Sequence, residues 1–173
     1  MTKTNLARTL REPAELVAEH LAPAAALPAL ERVAARYAVA ITPALVELID
    51  TSDPDDPIAR QFVPTAAELE MQPGESADPI GDHPHSPVPG IVHRYPDRVL
   101  FKLVHVCAVY CRFCFRREMV GPGKENALSD DAYRAAIDYI RTHSEIWEVI
   151  LTGGDPLMLS PRRLSEIMAD LAG

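Results

Sequence analysis

The sequence predicts an α/β chain: a helical N-terminal region, a Pro/Gly-rich connector, and then βα units built on buried parallel strands. Three observations predict it. Residues 1–70 carry apolar positions at helical spacing broken by prolines, 71–92 is dense in Pro, Gly, Asp and Ser, and 93–173 alternates strand, loop and helix patterns. This divides the chain into 1–70, 71–92 and 93–173.

In the first part, "EPAELVAEHL", "PALERVAARYAV" and "TPALVELID" each place apolar residues three and four apart, with Pro or Thr near the start. "MQPGESADPIGDHPHSPVPGIV", from Met71 to Val92, should be an extended arm with little regular structure. "RVLFKLVHV" (Arg98 to Val106) is a nearly continuous apolar run, as expected of a parallel strand buried on both faces. "SDDAYRAAIDYIRTH" offers Ser129 as N-cap, acids in the first turn, and Tyr133, Ile137 and Ile140 on one face, which predicts a crossover helix. "WEVILTGG" (Trp147 to Gly154) is a second buried strand, and "SPRRLSEIMADLAG" opens a helix with Ser160 as cap and Pro161 at its first position. Each strand has its unusual residues just past its C-terminal end, where parallel α/β folds place ligands.

Composition narrows the class. The chain is 47% hydrophobic and 24% charged with a formal net charge of −8, which suits a globular protein and speaks against nucleic-acid binding. The apolar runs are far too short for a membrane span, and the start "MTKTNLARTLREPAELV" lacks the apolar region of a secretory signal. A cytoplasmic location is therefore expected, where clustered thiols hold metal or do redox chemistry more often than they form disulfides.

All three cysteines lie within eight positions, Cys107, Cys111 and Cys114, spaced C-x3-C-x2-C directly after the first long strand. A 4Fe–4S cube takes four ligands, so three thiolates on one loop would hold three irons and leave the fourth open to chemistry. Taken alone, the three cysteines could also form a zinc site completed by His105 or another histidine. "TGGDP" (Thr152 to Pro156) ends the second strand; on its own a Gly-Gly turn is a common strand terminator. His105, inside a predicted strand, is more readily a core histidine than a ligand.

The cysteine spacing and its place after a strand resemble the radical S-adenosylmethionine (SAM) enzymes, whose unique iron is chelated by the methionine part of SAM. The resemblance implies SAM contacts from Phe113, the aromatic residue before the third cysteine, and from the turn of Gly153, Gly154 and Asp155. "HRYPDRVL" (His93 to Leu100), "CAVYCRFCFRRE" and "EVILTGGDPLML" (Glu148 to Leu159) narrow it to the lysine 2,3-aminomutase family, which also uses pyridoxal 5′-phosphate (PLP). The match is good over residues 80–173 and loose before that. It implies that Arg94 and Arg98 bind the PLP phosphate, as guanidinium forks suit phosphate oxygens, and that Arg116 holds the substrate carboxylate. Arg112 and Arg117 receive no role beyond positive potential.

The implied function is an isomerase moving an amino group from the α- to the β-carbon of an amino acid, with L-lysine as the leading substrate. It would use a 4Fe–4S cluster, SAM, PLP and an electron donor such as a flavodoxin or ferredoxin, with no nucleic-acid or membrane partner and with homo-oligomers in the full-length form. Alternatives are the relative that makes β-lysine for elongation factor P, an aminomutase for another amino acid such as glutamate, or a non-catalytic zinc or iron–sulfur module. The implied fold is the first βα units of a radical SAM partial barrel in a truncated chain, since a closed barrel needs roughly 200 or more residues. The family's PLP-anchoring lysine and distal substrate carboxylates lie late in its sequences. Here Lys3, Lys102 and Lys124 are the lysines, and none stands in a matching motif, so the 173-residue chain alone is expected to be inactive in rearrangement.

Overall fold

The computed structural model describes residues 8–120 and 125–173. The chain forms two compact units, one of residues up to 77 with 107–123, the other of residues 78–106 with 124–173. Lys3 and Lys124 fall outside the described residues.

Among the described residues, the first unit holds four short α-helices: α1 (Pro13–Ala18), α2 (Leu27–Arg36), α3 (Pro43–Val46) and α4 (Pro57–Phe62). Each has a proline in its first turn, where the missing N–H costs nothing. The first three were expected from their periodicity. α4 was not, although its start is well signalled: the Asp56 carboxylate accepts from the amides of Ile58 (3.0 Å) and Ala59 (2.6 Å) ahead of Pro57. Two apolar clusters hold the unit. Leu10, Leu16, Val39 and Ile41 form one; Val33, Tyr37, Ala40, Tyr110 and Val120 form the other, which brings in the segment that carries the cysteines.

The second unit is a three-stranded sheet, β1 (Ile91–Tyr95), β2 (Arg98–Val104) and β3 (Glu148–Gly153), in the order β1-β2-β3, with helices α5 (Asp130–Thr142) and α6 (Pro161–Ala172). β2 and β3 are parallel, as a βα unit requires, and pair from Arg98 with Glu148 to Val104 with Gly153. β1 is antiparallel to β2, pairing Ile91 with Phe101 and Val92 with Leu100. This first strand was not expected. Its turn is Pro96-Asp97 rather than the Asn-Gly or Asp-Gly that marks a two-residue hairpin, and its start lies in the Pro-rich connector.

Ile91, Val99, Phe101 and Leu103 pack against Tyr133, Ala136 and Ile137 of α5 and Ile167 of α6. The helix starts follow the expected caps: Ser129 Oγ accepts from Ala132 N at 3.3 Å, and Ser160 Oγ from Arg163 N at 3.2 Å. β2 ends two residues earlier than expected. His105 has left the ladder, its amide donating to Asn126 O at 2.8 Å and its Nδ1 lying 3.0 Å from Glu125 O, so it is not a core histidine of the strand. The α/β class is as expected, with a mixed sheet in place of a purely parallel one.

Candidate functional site

The cysteine loop belongs to the first unit. It runs through tight turns, with Cys114 N donating to Cys111 O (3.2 Å) and Arg117 N to Cys114 O (3.2 Å), so the second and third cysteines lie close in space. No disulfide joins any of the three. Cys111 stands at the surface, and its thiol is pushed up by partial withdrawal from water and then by the nearby Cys114 sulfur. Among the described residues no three Cys, His, Asp or Glu side chains stand close enough together to hold a metal ion. The loop thus offers a soft donor set without a gathered site. In such loops ion binding, thiol deprotonation and the final local geometry are coupled.

What fixes the loop is a residue the sequence reading passed over. Arg112, 7% exposed, lies between the cysteines. Its Nε donates to Glu68 Oε1 (3.0 Å), its Nη2 to Glu68 Oε2 (2.5 Å) and its Nη1 to Ala38 O (2.7 Å). Its amide donates to Gln61 O at 2.8 Å, and its guanidinium lies over the Tyr110 ring at 4.8 Å. Tyr110 N in turn donates to Ala40 O at 2.9 Å. Segments of the N-terminal region, most of them outside its four α-helices, therefore hold the base of the loop, while its outer residues project. Phe113 is 77% exposed and Phe115 50%, with the Arg116 guanidinium 4.7 Å above the Phe115 ring. Aromatic side chains so exposed beside a donor loop suit contact with a ligand better than a packing role.

The glycine turn belongs to the second unit, at the C-terminal end of β3. Gly153 has φ +112, and a Cβ there would stand 2.3 Å from Val104 O; a Cβ on Gly154 would stand 2.2 Å from Val106 O. Both glycines are thus demanded by the backbone of β2 and its exit, whatever else the turn binds. Asp155 N donates to Val106 O (2.9 Å), and Asp155 Oδ1 accepts from Leu157 N (3.0 Å), capping the short turn Pro156–Met158.

Arg94 and Arg98 come together on one pocket of about 180 Å³, on the sheet face opposite the helices. Val92, Leu100 and Ile150 supply an apolar floor, and Asp82 joins the lining. Arg98 is heavily engaged. Its Nε and Nη2 donate to the two oxygens of Asp97 (3.0 Å each), Glu148 Oε2 lies 3.3 Å from Nη1, and Trp147 Nε1 donates to Asp97 at 3.1 Å. The Arg98 and Trp147 bonds hold the Asp97 carboxyl down to about 2. Arg94 Nη2 donates to the carbonyls of Ile80 and Gly81. The pocket and the glycine turn sit at opposite ends of β2, about 20 Å apart at ~3.3 Å per residue.

Residues 101–171 match the Radical SAM superfamily, a span that opens in β2 and runs through the cysteine loop and the glycine turn to α6. The chain is 43% identical over 133 residues to the L-lysine 2,3-aminomutase of Clostridium subterminale, covering 77% of this chain and 32% of that protein. It is 36% identical over 135 residues to the L-lysine 2,3-aminomutase of Escherichia coli K12, covering 78% and 39%. With the Bacillus subtilis 168 enzyme of the same name the identity is 39% over 134 residues, covering 76% and 28%. The chain is a homologue of the lysine 2,3-aminomutases, within the radical SAM superfamily. It spans about a third of the length of these relatives. A 4Fe–4S cluster and SAM follow from the superfamily, and the donor set of Cys107, Cys111 and Cys114 fits such a cluster: three thiols on one loop, none in a disulfide. No helix among the described residues is long and apolar enough to cross a membrane.

Proposed function

We propose that this chain forms part of a radical SAM aminomutase that moves an amino group between the α- and β-carbons of an amino acid, with L-lysine as the leading substrate. The observation that carries the reading is the three-thiol loop, pinned at its base by the buried Arg112–Glu68 pair and open at its outer face. Cys107, Cys111 and Cys114 would hold the cluster, which supplies the electron that cleaves SAM reductively to a radical. Phe113, and separately the turn of Gly153, Gly154 and Asp155, would serve as contacts for SAM. The second unit supports PLP as further cofactor through the chemistry of its pocket: an apolar floor that suits a flat ring, flanked by the guanidiniums of Arg94 and Arg98 for a phosphate. Arg116, resting on Phe115, would pair with the substrate carboxylate. The electron would come from a small redox protein such as a flavodoxin or ferredoxin, and the reaction belongs to the cytoplasm.

The test is anaerobic reconstitution of the chain with iron and sulfide. Brown protein carrying about four irons, with a reduced spectrum that changes when SAM is added, supports the reading. Colourless protein with one tightly held zinc overturns it in favour of a zinc module. A cluster indifferent to SAM overturns it in favour of a fully ligated electron carrier.

A further inference from the structure

The pocket face of β2 carries a residue with no counterpart in an ordinary buried strand. Lys102 stands two positions beyond Leu100 and so on the same face, yet its side chain is only 10% exposed. Lysine is rarely buried without a specific partner, and an aliphatic side chain would pack there at lower cost. Its Nζ lies 4.0 Å from Asp82 Oδ2, while Arg94 Nη2 lies 4.0 Å from Asp82 Oδ1. The Asp82 side chain is 7% exposed, so one buried carboxylate stands between two cations, one oxygen toward each. Asp82 is itself held, its amide donating to Asp78 Oδ1 at 2.8 Å. The Asp78 carboxyl is lowered chiefly by the His83 amide and in lesser part by Lys102.

The two arginines of the pocket differ in their company. Arg98 faces two carboxylates, Asp97 and Glu148. Arg94 gives one nitrogen to two uncharged carbonyls, and the carboxylate it pairs with among the described residues, Asp82, is shared with Lys102. Without Lys102, Asp82 would draw the Arg94 guanidinium onto itself and cancel its charge. We infer that Lys102 and Asp82 are positioning residues for the anion end of the pocket: by sharing Asp82, Lys102 leaves Arg94 turned to the pocket and available to a phosphate monoester. Lys102 does not line the pocket and acts through Arg94. The inference rests on the reading of this pocket as a site for a phosphorylated pyridine ring.

The experiment compares pyridoxine 5′-phosphate with pyridoxine by calorimetry on the 173-residue chain. These ligands lack the aldehyde that would react with any amine, and their affinity ratio isolates the phosphate. The chain should prefer the phosphate form, and Lys102→Met should cut that preference about tenfold while leaving pyridoxine binding unchanged. Lys102→Arg should retain the preference. Asp82→Asn should restore it in the Lys102→Met background, where no buried carboxylate then competes for Arg94; this double variant also avoids a lone buried charge should Lys102→Met fold poorly. In an Arg94→Ala background, Lys102→Met should bring no further loss. An unchanged preference in Lys102→Met, equal losses for both ligands, failure of Asp82→Asn to restore, or additivity with Arg94→Ala overturns the inference while the pocket reading stands. A wild-type chain that does not prefer the phosphate form overturns the pocket reading and the inference with it.

Discussion

Replacing Arg112 by alanine removes the buried side chain that ties the middle of the cysteine loop to Glu68 and Ala38 of the N-terminal region. The Arg112 and Glu68 side chains are 4% and 11% exposed, so the pair is buried and the mutation leaves the Glu68 carboxylate without its cation. Glu68 Oε1 retains the Thr65 amide at 3.0 Å, which offsets part of that loss. Breaking one partner of a buried pair costs about 3–5 kcal/mol, and the surviving Thr65 bond argues for the lower end, about 3 kcal/mol. With a urea slope of about 2 kcal/mol/M, the unfolding midpoint of this unit should fall by roughly 1.5 M. Arg112→Lys keeps the charge but not the fork, and should fall between the two.

The assay pairs urea unfolding, followed by far-UV circular dichroism, with iron content after anaerobic reconstitution. Arg112→Ala should lower both the midpoint and the iron retained. Glu68→Gln should do the same from the opposite partner, and the double variant should lose less than the two single losses combined. An Arg112→Ala chain that unfolds with wild type and holds the same iron would refute the claim that this pair supports the loop.

Three further outcomes follow from other parts of the molecule. Gly154→Ala places a Cβ 2.2 Å from Val106 O, a backbone atom that cannot swing away, and should cost about 3 kcal/mol or more; Gly74→Ala, at φ +90 with open space around it, should cost about 1 kcal/mol, and thermal melts separate the two. Asp97 is held at about 2, below its unfolded value of roughly 3.9, so its contribution is present above pH ~4 and fades as the pH falls toward 2. The single tryptophan, Trp147, donates to that carboxylate, so its fluorescence should titrate in this window, and the transition should vanish in Asp97→Asn. Serine at any one of Cys107, Cys111 or Cys114 should abolish four-iron loading, measured as bound iron per chain, because no spare cysteine exists in the sequence.

Features written in neighbouring residues were mostly legible from the sequence, the Asp56-capped α4 being an exception, while features made by residues far apart were not. Ser129 and Ser160 announce their helices because a cap bonds within three positions, and Tyr133 and Ile137 announce the buried face because a helix turns with a fixed period. The hairpin of β1 and β2 was hidden by a Pro-Asp turn of weak signature. Arg112 and Glu68 are 44 positions apart, and nothing local to either points to the other. Lys102 was hidden differently. In an apolar run read as buried on both faces, one amine looks like an interruption, and only the pairing of Leu100 with Val92 and Ile150 shows that it shares a face with the arginines.

The Gly-Gly turn can answer to two demands. The resemblance gives Gly153, Gly154 and Asp155 to SAM, a use that would need room at the backbone. The structure assigns that room first to the chain itself, since the carbonyls of Val104 and Val106 lie where a Cβ would have to stand. Glycine conveys only that a Cβ is excluded, and a neighbouring strand excludes it as firmly as a ligand does. A turn packed this tightly at the end of a parallel strand carries its own demand for glycine. Weight for ligand binding therefore belongs to what surrounds the turn, the exposed Leu157 and Met158 that follow it. The Gly154 and Asp155 amides already donate to the carbonyls of Val104 and Val106, so a ligand reaching this turn would meet its carbonyls, which suits an ammonium donor and not an anion.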